Sequence, residues 1–212
     1  FKYSAEPFFF NQSTDKNIPE LFAKVMHAFL IFCSTLMVLI SVNLDILGKI
    51  FLRDPGYWEA LNIVPVLLMG YLFLGIYFNL SIWFKLTDQT KYSFYITLLG
   101  AIVTVLVIFL LVPVFGYMGA ALSTLASYFI MSVVCYWYGQ KYFPIPYQLS
   151  KGLFYLFLGF SLSYLGFYME FEIPVIQFML KNGLVILFVI VVLFFEKKQV
   201  EEFKSQFNKR KS

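Results

Sequence analysis

Apolar residues fall into six long runs, at roughly 22–48, 59–84, 92–112, 117–139, 151–169 and 173–195, separated by short polar connections. Each is long enough for a helix rising about 1.5 Å per residue to cross about 30 Å of hydrocarbon. They are too long and too evenly apolar for barrel strands, which alternate over about ten residues. Helices also satisfy their own backbone N–H and C=O groups, which lipid cannot do. The pattern predicts an all-α integral membrane protein with six transmembrane helices.

One stretch needs division. No charged residue occurs between Tyr92 and Gln140, and a single helix of that length would overshoot a bilayer. Pro113-Val114-Phe115-Gly116 supplies the break, because proline cannot continue the hydrogen-bond ladder and glycine permits a tight reversal. The stretch reads as a helical hairpin with an outer turn at 113–116.

Composition agrees with the pattern. Of 212 residues, 60% are apolar and 13% charged, and the mean hydropathy is +0.78. Soluble domains are nearer half apolar and about a quarter charged. The numbers exclude an ordinary cytosolic enzyme, a disordered chain and a nucleic-acid module, so no nucleic-acid partner is expected. Cys33 and Cys135 lie inside apolar runs and read as small hydrophobes, and His27 is the lone histidine, so neither a disulfide framework, a metal site nor a cofactor is implied.

The net charge of +4 is explained by position. Lys2, Lys16, Lys24, Lys85, Lys91, Lys141, Lys151 and the tail residues Lys197, Lys198, Lys204, Lys209, Arg210 and Lys211 fall on one alternate set of connections. The opposite set holds only Lys49 and Arg53, and Lys181 lies within a span. The positive-inside rule places both chain ends in the cytoplasm and the 49–58, 113–116 and 170–172 connections outside. Tyr57 and Trp58 mark an outer interface, and Trp83 with Tyr136-Trp137-Tyr138 marks the inner one. Val200, Phe203 and Phe207 in the basic tail allow either a short amphipathic helix on an anionic leaflet or a solvated tail. The opening at Phe1-Lys2-Tyr3, without an initiator Met, reads as the start of the C-terminal part of a larger membrane protein.

Chemistry-bearing motifs are absent from the sequence: no HExxH, Walker loop or GxGxxG, and one histidine cannot serve a Ser/His/Asp set. Glu170 and Glu172 read as a solvated turn. Polar residues at depth are the candidates for a substrate path: Asn79, which needs an interhelical partner or water, and Lys181, about one turn deep and able to snorkel outward. Lys24 and His27 start the first span near headgroup phosphates. Pro65, Gly70 and Gly75 soften the second span, either as a static kink or where a helix flexes. Gly119, Ser123 and Ser127 form one face of the fourth span, and Gly159 lies in a seven-residue glycine repeat with Gly152 and Gly166 on the fifth; such faces pack helices closely or let them slide.

Two stretches carry a family resemblance. Tyr57-Trp58-Glu59-Ala60-Leu61 through Ile63-Val64-Pro65 and on to Asn79-Leu80-Ser81-Ile82-Trp83-Phe84-Lys85, and the hairpin Pro113-Val114-Phe115-Gly116-Tyr117-Met118-Gly119-Ala120-Ala121, resemble the Wzx-type O-antigen and capsule polysaccharide flippases. These belong to the multidrug/oligosaccharidyl-lipid/polysaccharide exporter superfamily. The resemblance covers most of residues 1–150. It implies a protein of about twelve to fourteen helices in two lobes that rock around a central cavity. Residues 1–145 would form part of the second lobe (four helices), 146–195 a terminal helix pair and 196–212 a basic cytoplasmic tail. The implied activity is non-enzymatic: transfer of an undecaprenyl-pyrophosphate-linked oligosaccharide across the bacterial inner membrane. The implied partners are that lipid-linked oligosaccharide, membrane lipids and the missing N-terminal lobe, without which the chain alone is expected not to transport. The fifth and sixth spans would border a groove for the polyprenyl tail. Alternatives are a multidrug exporter of the same superfamily, which calls for acids in the cavity where only Asp45 near an outer end offers one, and a non-catalytic membrane scaffold. A membrane-embedded enzyme would need a larger outer loop than any present.

Overall fold

A computed structural model describes residues 18–52 and 54–197. The opening segment with Lys2 and Lys16, Arg53, the Tyr57 side chain and the proposed amphipathic tail lie outside what is described. Helices α1 (Ile18–Val42) and α2 (Leu44–Phe51) lead through a 3-10 helix (Pro55–Ile63) into α3 (Val64–Leu80) and α4 (Ile82–Leu86). Then follow α5 (Lys91–Phe115), α6 (Tyr117–Tyr142), α7 (Leu149–Tyr168) and α8 (Pro174–Phe195), with no strand among the described residues.

The protein is an all-α membrane protein. Among the described residues, five helical stretches are long and apolar enough to cross a bilayer: Ile18–Val42, Trp58–Leu86, Lys91–Phe115, Tyr117–Tyr142 and Pro174–Phe195. The sixth expected span, α7, has 20 residues, but Lys151, its glycines and its serines dilute it. It makes up for this by packing, since α7 lies along α1 more extensively than along its sequence neighbour α8. Neighbouring positions show the directions. Gly152 meets Leu30, Gly159 meets Ser34 and Met37, and Gly166 meets Val42, so α1 and α7 run parallel. The pairs Glu196–His27 and Lys181–Asp45 make α8 antiparallel to α1. This up-and-down path puts Lys24, Lys85, Lys91, Lys141, Lys151 and Lys197 at one end, the basic end, and Gly116 at the other, the turn end.

Three boundaries differ from the sequence pattern. The first span is broken at Asn43, whose Nδ2 donates to Leu39 O at 2.9 Å instead of supporting a continuous ladder. The second span is composite: Asp54 caps the 3-10 helix by accepting from Gly56 N at 2.9 Å, and a one-residue break at Ser81 separates α3 from α4. In the hairpin, Pro113 lies inside α5 and does not end it. The reversal belongs to Gly116 alone, at φ 54° and ψ −130°, a conformation that side chains disfavour. Proline removes one ladder bond but leaves the last turn intact, closed by Gly116 N donating to Val112 O at 2.9 Å.

Trp83 is also corrected. It is not a headgroup marker but a core residue, 1% exposed, whose Nε1 donates to Cys135 O at 3.2 Å. Its ring stacks on Tyr142 at 5.5 Å between centroids and lies 5.4 Å from Phe84 and from Tyr92. Gly139 leaves room for it. This aromatic cluster ties α4, α5 and α6 together at the basic end. Trp83→Ala is therefore expected to cost about 3–5 kcal/mol, read as thermal unfolding in detergent. Trp137→Ala, at a position 71% exposed, is the comparison that leaves the midpoint unchanged.

Candidate functional site

Two polar ties fasten α8 to α1. At the basic end, Glu196 directly follows α8 and is only 5% exposed. Its Oε1 accepts from Tyr155 OH at 2.6 Å and Lys151 Nζ at 3.0 Å, and His27 Nε2 stands 3.0 Å from the same oxygen. Burial pushes the carboxyl up, but the Tyr155 and Lys151 hydrogen bonds and the adjacent His27 outweigh it and hold the group below its ordinary value of 4.5. Residue 196 thus belongs to the bundle and not to a solvated tail, and His27 meets a carboxylate and not a phosphate. Lys24, one turn earlier, is exposed.

The pH consequence has a definite sign. A carboxyl with a depressed folded pKa contributes stability above its unfolded pKa and loses it as pH falls through the folded value. Glu196→Gln is expected to lower the unfolding midpoint at pH 7, with the gap from the native chain closing as pH drops below about 4.3. A gap that stays constant down to pH 3 refutes this role.

At the turn end, Lys181 is not free to snorkel. Its side chain is 4% exposed and its Nζ pairs with Asp45 Oδ2, which also accepts from Gln177 Nε2 at 2.9 Å. Asn43 and Asn182 exchange side-chain amide hydrogen bonds at 3.2 Å, so the break between α1 and α2 is where α8 docks. Between the two ties, Ser34, Ser41 and Ser163 are buried with hydroxyls that bond to no protein group. Gly159 sits in the same seam, against Met37, Ser34 and Phe188.

The remaining sequence candidates fall elsewhere. Asn79 is buried, but its Nδ2 donates to its own helix, at Gly75 O 3.0 Å away, and not across to another. Pro65 stands in the first turn of α3, where its missing N–H leaves no ladder bond unmade. Gly70 lies against the Leu125 backbone, and Gly75 accommodates the Phe29 ring, so both serve close contact. Gly119 abuts the backbone of Leu111 and Val112 across the hairpin. Ser123 Oγ donates to Ala120 O at 2.7 Å within α6, and Ser127 Oγ crosses to Gly100 O of α5 at 2.8 Å. Asn79, Lys181, Lys24 and His27 do not converge on one site.

What does form a site is space. A cavity of about 330 Å³ lies between α1, α3, α6 and α7. Its walls are almost wholly apolar, including Leu30, Phe73, Leu80 and Leu156, with His27 and Gln148 toward the basic end. Phe129 and Val133 of α6 and Leu149 and Leu153 of α7 line it and are exposed, so it opens sideways between those helices. A second groove of about 390 Å³ lies on the other face of the α3–α6 pair, toward α5. Among the described residues no group of His, Cys, Asp and Glu is arranged to hold a metal ion.

Sequence reasoning missed Glu196, Tyr155, Asn43 and Asn182. The signal available was an acid at the end of the last span level with a lysine at the start of the preceding one.

No protein-family model matches the chain, and no solved structure does. It is 30% identical over 178 residues to an uncharacterized membrane protein of Methanocaldococcus jannaschii, a match that takes in 81% of this chain. The chain spans about a third of that relative's length, 32%, and what the similarity shows is membrane-protein character.

Proposed function

We propose that this chain is part of a flippase that carries a polyprenyl-pyrophosphate-linked oligosaccharide across a cell membrane, by rocking against a second lobe. The observation that carries the reading is the apolar cavity open between α6 and α7. An amphipathic cargo needs a hydrocarbon-compatible recess reachable from the bilayer side, and this cavity opens sideways between two helices. The helical up-and-down architecture and the resemblance of the 57–85 and 113–121 segments support the same reading. The bacterial inner membrane, with both ends of the chain cytoplasmic, is the location that goes with it, and the lysines gathered at the basic end favour that orientation.

The cavity modifies the tail path that the resemblance implies. The recess is bordered by α1, α3, α6 and α7, so the fifth span contributes and the sixth does not. The test is translocation of an undecaprenyl-pyrophosphate-linked oligosaccharide in proteoliposomes holding the full-length protein. Translocation that is lost when Val133→Trp fills the mouth, with stability retained, supports the reading. No translocation by the full-length protein, or translocation catalysed by this 212-residue chain alone, contradicts it.

A further inference from the structure

The two cavities flank the same helix pair and differ in chemistry. Where the first is walled by Leu and Phe, the groove between α3–α4 and α5 presents Ser93, Thr97 and Thr104 on one face of α5, with Ser127 on its floor. Much of the rest of α5 is exposed apolar surface, including Leu98, Ile102, Leu106 and Phe109, and its serine and threonine hydroxyls all line the groove.

Three of these four hydroxyls have already committed their protons. Thr97 Oγ1 donates to Ser93 O at 2.8 Å, Thr104 Oγ1 to Gly100 O at 2.9 Å and Ser127 Oγ to Gly100 O at 2.8 Å. A hydroxyl that donates its one proton keeps lone pairs to accept. The groove therefore offers acceptors at Thr97, Thr104 and Ser127, bordered by the aromatic rings of Tyr77, Phe78 and Tyr128, with Lys85 toward the basic end and no carboxylate among the described residues of its lining. Its complement is a ligand rich in O–H donors with apolar C–H faces.

We propose that this groove binds the carbohydrate headgroup of a lipid-linked saccharide, with the α3–α6 pair separating sugar on one side from hydrocarbon tail on the other. The proposal rests on the flippase reading for its cargo and adds the place and the recognition chemistry. Stacked C–H faces and accepted hydroxyl protons give moderate, sugar-tolerant binding.

The experiment uses single cysteines, Thr97→Cys and, separately, Ser93→Cys, in full-length protein whose Cys33 and Cys135 are replaced by alanine. Membrane-impermeant maleimide reads water access. The probes are undecaprenyl-pyrophosphate-linked chitobiose and undecaprenyl pyrophosphate without sugar, which differ only in the carbohydrate. The expected result is labelling of both positions, slowed at least fivefold by the glycosylated lipid and unchanged by the sugarless one. Equal protection by both lipids, protection by neither, or no labelling at all overturns the proposal. In the Ser93→Cys background, Thr97→Val with Thr104→Val, which removes acceptors at nearly constant shape, is expected to weaken that protection while leaving the unfolding midpoint unchanged. Translocation assayed in the same preparation keeps the two claims apart: flipping without sugar-dependent protection sinks the groove alone, whereas absent flipping sinks the flippase reading.

Discussion

Replacing Gly119 by leucine is expected to destabilise the protein by about 3 kcal/mol, at the upper end of what overpacking costs. The reason is backbone against backbone. A Cβ at 119 would stand 2.5 Å from Leu111 O, 2.6 Å from its carbonyl carbon and 2.7 Å from Val112 N, and none of these can rotate aside. The α5–α6 hairpin must separate, and with it the Ser127–Gly100 hydrogen bond. Gly116→Ala, in the turn itself, tests a different cause: nothing lies within 4 Å of a Cβ there, so its cost is purely conformational. A side chain held at φ 54° and ψ −130° costs on the order of 1–3 kcal/mol. Gly183→Ala, in a helix with open space around it, is the control that produces no loss. Thermal unfolding in detergent ranks the three, and equal effects at 119 and 183 contradict the close approach.

The second large effect is asymmetric. Asp45→Ala is expected to cost about 3–5 kcal/mol, because it strands a buried ammonium in a helix that crosses the membrane. Lys181→Met is expected to cost far less, about 1 kcal/mol, comparable to an exposed ion pair. The Asp45 side chain is 42% exposed and keeps its Gln177 donor, whereas that of Lys181 is 4% exposed. Adding Lys181→Met to Asp45→Ala should therefore restore most of the lost stability. Equal single effects, or no rescue in the double variant, show that the pair is not buried as described.

The fold was legible where a physical constraint acts on composition. Long apolar runs must become helices in lipid, and Pro113 through Gly119 announces a reversal, so the helices and their antiparallel order could be read directly. The finer joints could not. Asn43 breaks a helix because its amide turns back to Leu39 O and across to Asn182, and nothing local in the sequence of α1 reports a partner in α8. Trp83 looks like an interfacial tryptophan by depth alone. Its burial depends on Gly139 and Tyr142, far along the chain, leaving a ring-sized space.

The site was less visible for the same reason. Lys181 reads as a snorkelling lysine until the break at Asn43 swings Asp45 beside it. Glu196 reads as the first residue of a polar tail until α8 returns it to His27, Lys151 and Tyr155. By contrast, the small-residue positions Gly119, Ser127 and Gly159 were visible as a face, since close approach requires small side chains wherever the partner helix comes from. The hydroxyls of Thr97 and Thr104 share a groove only because α3 stands off from α5 across α6.

The central claim is that hydrocarbon surrounds these helices and that successive connections face opposite sides. Single cysteines at Tyr117, beside the Gly116 turn, and at Thr90, in the connection between α4 and α5, test it directly in intact cells and in inverted vesicles, with Cys33 and Cys135 replaced by alanine. Both sites are exposed. The account predicts that an impermeant maleimide labels position 117 only in intact cells and position 90 only in inverted vesicles. Labelling of both positions from the same side, or recovery of the protein as a monodisperse species without detergent, contradicts it.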